Sequence, residues 1–149
     1  MSLDVDVATN EERLPVSRSR VVEIAQSVLR GERVRHALVS ITMLDRRAMA
    51  RLNAKHLGHR GPTDVISFGF TRATPSDPVV GDIYICPSVG RDNAVTASEP
   101  VRRELTRLVV HGILHILGHD HPEGTAREHS PMWRRQERLV ARLSARKGQ

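Results

Sequence analysis

Polar and apolar residues alternate over residues 4–8 (DVDVA), the period-two pattern of a strand with one buried face. The period then changes. Val21, Val22, Ile24, Ala25, Val28 and Leu29 recur at helical spacing over residues 17–30, with Ser17 or Ser19 as cap and Gly31 as stop. Residues 37–44 (ALVSITML) are rich in β-branched side chains and predict a second strand. Asp45 then caps a helix through Asn53, with Ala48, Met49 and Leu52 on one face. Residues 58–62 predict a loop, 63–70 (TDVISFGF) a third strand, 71–78 a polar loop, and 81–85 (GDIYI) a fourth strand ended by Pro87. Helical spacing returns over 89–97. A further helix starts at Glu99-Pro100, where proline is tolerated in a first turn, and runs to about Leu117. Residues 132–143 form a last amphipathic helix with a basic outer face. The expected fold is α+β: a four-stranded mixed sheet packed against helices. Residues 1–149 show no repeat and no linker that would split them, so one domain is expected.

Composition narrows the classes. Hydrophobic residues make up 39% and charged residues 27% of the 149, as in a folded globular chain. No apolar run approaches the ~20 residues that span a bilayer. The acidic first residues, MSLDVDVATNEE, lack the basic start and apolar core of a secretory signal. The single cysteine, Cys86, cannot form an internal disulfide, and a cytoplasmic location is expected. Lys+Arg outnumber Asp+Glu by 23 to 17, and 21 of the 23 are arginine. That balance points to an anionic partner such as nucleic acid, or to a composition that simply favours arginine. Only Phe68, Phe70, Tyr84 and Trp133 are aromatic, too few for a single-strand reader that stacks bases. A partner recognised by phosphate and shape fits better.

The chemistry concentrates at the end of the long helix. Four of the eight histidines fall within residues 111–121, and from 108 to 118 only His111 and His115 carry polar side chains. A helix apolar on most sides is buried. Buried imidazoles need partners, and a four-residue spacing puts both rings on one face. Two such nitrogens can reach one metal ion at ~2.0–2.1 Å. Gly118 permits the left-handed turn that ends the helix, after which either His119 or His121 can supply a third nitrogen. His121 is preferred, because it completes the H-x-x-x-H-x-x-G-x-x-H spacing of metzincin peptidases. Three protein ligands leave a position for water, as in catalytic zinc sites. Asp120 serves either as a turn residue or to orient an imidazole. The glutamate that follows the first histidine in those peptidases, their general base, is Gly112 here. The general base and any other catalytic residue stay unassigned.

The segment His111-Gly112-Ile113-Leu114-His115-Ile116-Leu117-Gly118-His119-Asp120-His121 closely resembles the H-G-x-L-H-x-x-G-x-D-H signature of the YbeY family of bacterial metal-dependent endoribonucleases, with His119 where an aromatic is usual. Leu52-Asn53, residues 62–68 (PTDVISF), Gly81-Asp82-Ile83 with Cys86-Pro87, and Met132 and Glu137 fit the same family, so the resemblance spans roughly residue 40 onward. It implies a zincin-like helix backed by the sheet and one zinc ion at His111, His115 and His121. It also implies single-strand-type endonuclease action in maturation of the 16S ribosomal RNA 3′ end and in ribosome quality control, with the small ribosomal subunit as partner and neither membrane nor DNA involved. The family usually carries an arginine four residues after the Asn of its L-N pair, thought important for cleavage; here that position is Leu57. Arg60 in the glycine-bounded loop, or Lys55, are then the candidate phosphate contacts. A zinc-stabilised ribosome-binding factor and a metallopeptidase are the competing readings. Elsewhere, Thr63-Asp64 is expected to cap or pin the start of a strand rather than donate a base, Cys86 to be an inert thiol rather than a ligand, and Glu104 to favour the helix dipole rather than support the metal site. The run Arg134, Arg135, Arg138, Arg142, Arg146 and Lys147 is expected to be a solvated face or a ribosome contact.

Overall fold

Four β-branched segments form the sheet: β1 (Ser2–Thr9), β2 (His36–Met43), β3 (Val65–Gly69) and β4 (Val79–Ile85). The computed structural model describes residues 1–145, so Arg146 and Lys147 of the basic run lie outside the described residues. Strand order is β1-β2-β4-β3. β1, β2 and β4 run parallel, and β3 returns antiparallel along β4, pairing Val65 with Ile85 and Gly69 with Gly81. The mixed α+β architecture expected from the pattern is the one observed.

Strict alternation buries Ala37, Val39, Ile41 and Met43 of β2 and Val79, Ile83 and Ile85 of β4 on one face. Helices α1 (Arg18–Gly31) and α4 (Val101–Ile116) cover that face, and α5 (Pro131–Ser144) packs on α4. α2 (Arg46–Leu57) lies on the other face, where Met49, Ile66 and Cys86 make a small second cluster with Leu52, Phe68 and Tyr84. α3 (Pro87–Ala97) joins β4 to α4.

The ends of elements differ from expectation for local reasons. Ser17 caps α1 by accepting from the Arg20 amide at 3.1 Å. The helix ends at Gly31 as expected, but the left-handed position that follows is taken by Arg33, with φ 62°. Asp45 caps α2 through the Ala48 amide at 2.8 Å, but the helix continues past Asn53, because residues 54–57 (AKHL) are tolerated helix formers, until Gly58 at φ 67°. Pro87 does not merely end β4: it opens α3, where a missing amide costs nothing. A short 3-10 helix, Gly124–His129, was not evident in the pattern.

The seat of α4 on the sheet sets the geometry of everything below. A Cβ on Gly112 would stand 2.8 Å from Ile83 Cγ2, and one on Gly69 would stand 3.1 Å from the Ile116 Cα. Glycine at both contacts lets the helix backbone approach β3 and β4. It also explains why no peptidase-type glutamate follows His111: at Gly112 the space for any side chain is occupied by a fully buried isoleucine. Gly112→Ala is expected to destabilise by up to about 2 kcal/mol, because overpacking costs ~1–3 kcal/mol against the ~1 kcal/mol gained in helix propensity. Urea unfolding should show a lower midpoint with an unchanged slope.

Candidate metal centre

α4 is buried along nearly its whole length, and His111 is 6% exposed within it. The helix ends in a Schellman turn. The His119 amide reaches the Leu114 carbonyl at 3.0 Å, the Gly118 amide reaches that of His115 at 2.9 Å, and Gly118 takes φ 99°. This reversal carries the chain back so that His121 faces the helix it has just left. The ligand-capable nitrogens of His111, His115 and His121 lie within 4.8 Å of one another. His115 Nε2 and His121 Nε2 are 3.1 Å apart.

Two of the three rings are oriented by a neighbour outside the group. Gln136 is held in the core by donating from Nε2 to Glu137 Oε2 at 3.0 Å, which leaves its Oε1 facing His111 Nδ1 at 2.6 Å. An amide oxygen only accepts, so His111 carries its proton on Nδ1 and presents Nε2 as a lone pair. His121 Nδ1 likewise donates to the Pro122 carbonyl at 3.0 Å, freeing its Nε2. Burial pushes the pKa of His111 down to about 4, against the pull of Gln136, and the nearby His115, Arg127 and His121 lower it further. Burial, then His121, also lowers that of His115. Both are neutral at pH 7, the state in which imidazole binds a cation.

His119 stands apart from this group. Its Nε2 lies 2.8 Å from Glu32 Oε1, and Arg135 donates to the same carboxylate at 2.6 Å. Of the two candidates for a third nitrogen, the structure brings only His121 to the pair. Asp120 takes the turn role, accepting from the His121 amide at 2.9 Å.

The three histidines open into a cleft of about 430 Å³, walled by β3 and by Thr63, Asp64 and Leu57. Asp64 pins the start of β3: its carboxylate accepts from the Val65 amide at 2.8 Å and from Asn93 at 3.0 Å. Asn53 fixes the preceding loop by donating to the Gly61 carbonyl at 2.9 Å. Leu57 lines the cleft and is 46% exposed. Arg60 and Lys55 are exposed and do not line it. Cys86 is buried away from the histidines, and burial raises its thiol pKa, so it stays an inert thiol. On α5, Arg134, Arg138 and Arg142 are exposed, whereas Arg135 is tied to Glu32.

Behind His111 lies a set of groups that the sequence did not disclose. Arg107 pairs with Glu99 at 2.6 Å, Glu104 at 2.8 Å and Glu137 at 2.8 Å, and Asn93 bridges Glu104 to Asp64. Glu104 does stand in the first turn of α4, where it meets the helix dipole, but its buried carboxylate belongs chiefly to this cluster. Gln136 had a readable signal: it breaks the apolar stripe Met132, Leu139, Val140, Leu143 at a buried position. Arg127, which borders the cleft from the 3-10 helix, had none, since residues 124–129 have no hydrophobic period.

A family model described as endoribonuclease YbeY matches residues 6–144. Among curated proteins, an endoribonuclease YbeY of Thermobifida fusca is 36% identical, with 93% of each chain covered. One of Kineococcus radiotolerans is 37% identical over 99% of this chain and 90% of that one. The solution structure of TM1509 from Thermotoga maritima matches with a TM-score of 0.61 at 22% identity, covering 94% of this chain and 89% of that chain, a likeness of fold.

Proposed function

This chain belongs to the endoribonuclease YbeY family, and from that premise we propose that it cleaves ribosomal RNA with one zinc ion held by His111, His115 and His121. The coarser activity follows from the family: the protein is a nuclease that hydrolyses phosphodiester bonds in RNA. The finer reading is maturation of the 16S ribosomal RNA 3′ end and ribosome quality control, in the cytoplasm and on the small ribosomal subunit. The convergence of three imidazoles in one cleft carries the metal assignment.

The donor set suits zinc: nitrogen ligands, a count of three, and a cleft on the open side. When bound, zinc supplies Lewis acidity toward a phosphate oxygen and lowers the pKa of bound water. The chain's own residues prepare that site. Gln136 and the Pro122 carbonyl keep protons on the Nδ1 atoms of His111 and His121, so their Nε2 lone pairs face the cleft. With His121 Nε2 unprotonated, the proton between it and His115 Nε2 resides on His115 and must shift to Nδ1 for that Nε2 to hold a cation. Acid that protonates the imidazoles competes with the cation, so metal loading weakens on acidification. The net charge of +6 and the paucity of aromatics favour a substrate held by its backbone. Arg60, exposed in the loop before β3, adds a peripheral backbone contact in this reading.

Metal removal tests the proposal. Purified protein stripped with a chelator is expected to lose cleavage of a ribosomal RNA fragment, and one equivalent of zinc should restore it. Cleavage that persists after stripping, with contaminating nuclease excluded, contradicts the metal mechanism. Ribosome binding without cleavage under every metal would favour a binding factor instead.

A further inference from the structure

We propose that Arg127 is the phosphate-receiving group of the cleft, binding a non-bridging oxygen of single-stranded RNA beside the three histidines. The proposal rests on reading the cleft as the RNA-cleaving site.

Three observations set Arg127 apart in a chain of 21 arginines. First, it is the one arginine or lysine among the described residues lining the cleft that holds His111, His115 and His121, and it also borders the adjoining groove behind His111. Second, it makes no ion pair among the described residues, although Asp64, Asp120 and Glu123 also line the cleft. Arg107, Arg135 and Arg46 each meet carboxylates within 3 Å, whereas no ion pair joins Arg127 to an acid among the described residues. Its Nε is buried and has no hydrogen-bond partner among them. A buried guanidinium donor without an acceptor is costly, and an incoming phosphate supplies both acceptor oxygens and compensating charge. Third, the group is held in place. Its guanidinium carbon sits 5.5 Å from the centre of the Trp133 ring, and stacking of this kind orients the planar fork. Leu57, on the same cleft, offers no donor.

The arrangement gives the cleft a division of labour. The histidines present lone pairs, and Arg127 presents the only fixed positive charge that the lining side chains supply among the described residues. A phosphodiester lying between them would meet a donor on one side and the metal site on the other. The 3-10 helix, which carries no apolar period of its own, thereby acquires a role: it delivers one cation to the mouth of the site.

The test compares Arg127→Gln and Arg127→Lys with Arg47→Gln, an exposed arginine on α2 that does not line the cleft. All are prepared zinc-loaded, and zinc content and thermal melting are recorded for each. Stopped-flow anisotropy, ahead of cleavage, then gives the affinity for a short single-stranded RNA across a range of KCl. Arg127→Gln is expected to keep full zinc but bind RNA about tenfold more weakly at ~0.1 M salt. The slope of log affinity against log salt should become shallower by about 0.7, one single-strand phosphate contact. Arg127→Lys should recover most of the slope but not the full affinity, since the planar fork is lost. Arg47→Gln should change neither. Full zinc with unchanged affinity and slope in Arg127→Gln overturns the proposal while leaving the metal site standing. Absence of RNA binding by the unsubstituted protein overturns the reading of the cleft, and this proposal with it.

Discussion

His115→Ala is expected to lower RNA cleavage by more than ~100-fold and to reduce bound zinc to a small fraction of one equivalent. Losing an outer partner of a metal ligand already costs ~10–100-fold in affinity or activity, and losing the ligand itself should exceed that. Two imidazoles cannot replace three in a site whose third donor must be brought back by a turn. The fold should survive, because His115 is only half-buried at the last turn of α4, beside a capping turn made of backbone bonds. His119→Ala provides the contrast. It removes the pairing with Glu32, and a half-exposed contact of that kind contributes ~1 kcal/mol or less. Zinc content and cleavage should both remain. Metal analysis, thermal melting and an RNA cleavage assay on the two variants check the whole pattern. Cleavage surviving in His115→Ala, or lost in His119→Ala, would reverse the assignment of nitrogens.

Arg107→Met carries the largest expected cost in stability. The arginine is 13% exposed and holds Glu99, Glu104 and Glu137 together. Removing it leaves three carboxylates crowded at a partly buried place, and breaking such a set costs ~3 kcal/mol or more. In a chain of this length that corresponds to a fall of roughly 10 °C in melting temperature. The pH dependence follows with a definite sign. Burial raises the pKa of Glu137, but hydrogen bonds from Arg107 and Gln136 and the charge of Arg107 outweigh it and hold the group below its ordinary value. A carboxyl lowered in the folded state stabilises above its unfolded pKa, and that contribution is lost as pH falls through the folded value. In the parent protein this loss comes below about pH 4.3. In Arg107→Met the crowded carboxylates favour protonation, so the deficit should be greatest near neutral pH and shrink as pH approaches that value. A deficit independent of pH would contradict the electrostatic account. Because Glu137 also anchors the Gln136 amide, the variant is expected to bind metal more weakly as well.

These two substitutions separate what could be read from the chain and what could not. Strand and helix identity were legible because the hydrophobic period is strong. α4 stands out because its run from 108 to 118 is apolar except for two histidines, and Gly118 announces the turn. The triad followed from spacing alone. What escaped was set by contacts between distant segments. The fit of Gly112 against Ile83 depends on how closely a helix sits on a sheet, which no local pattern records. The tie of Gln136 to His111 joins residues 25 apart on different helices. The Arg107 cluster draws acids from the start of α4 and from α5. The end of α2 ran past Asn53 to Leu57 because residues 54–57 carry no stop signal before Gly58, and at α1 the left-handed turn after Gly31 falls on Arg33, a residue type that does not announce it. Among many arginines, only burial and the lack of an acid partner single out Arg127.

The gap left by the expected glutamate also gains a physical meaning. A peptidase base at position 112 is excluded by packing rather than by composition, since Ile83 fills the space. The spacing of the three histidines is shared with peptidases, but the helix face behind it is committed to the sheet.

The central claim is that His111, His115 and His121 together hold one metal ion. Anomalous diffraction at the zinc edge on the purified protein, combined with its metal content, tests this most directly. The account predicts one zinc per chain, coordinated by a nitrogen from each of these three residues. An ion coordinated by His119 in place of His121, or a site that takes no metal when zinc is supplied, would contradict it.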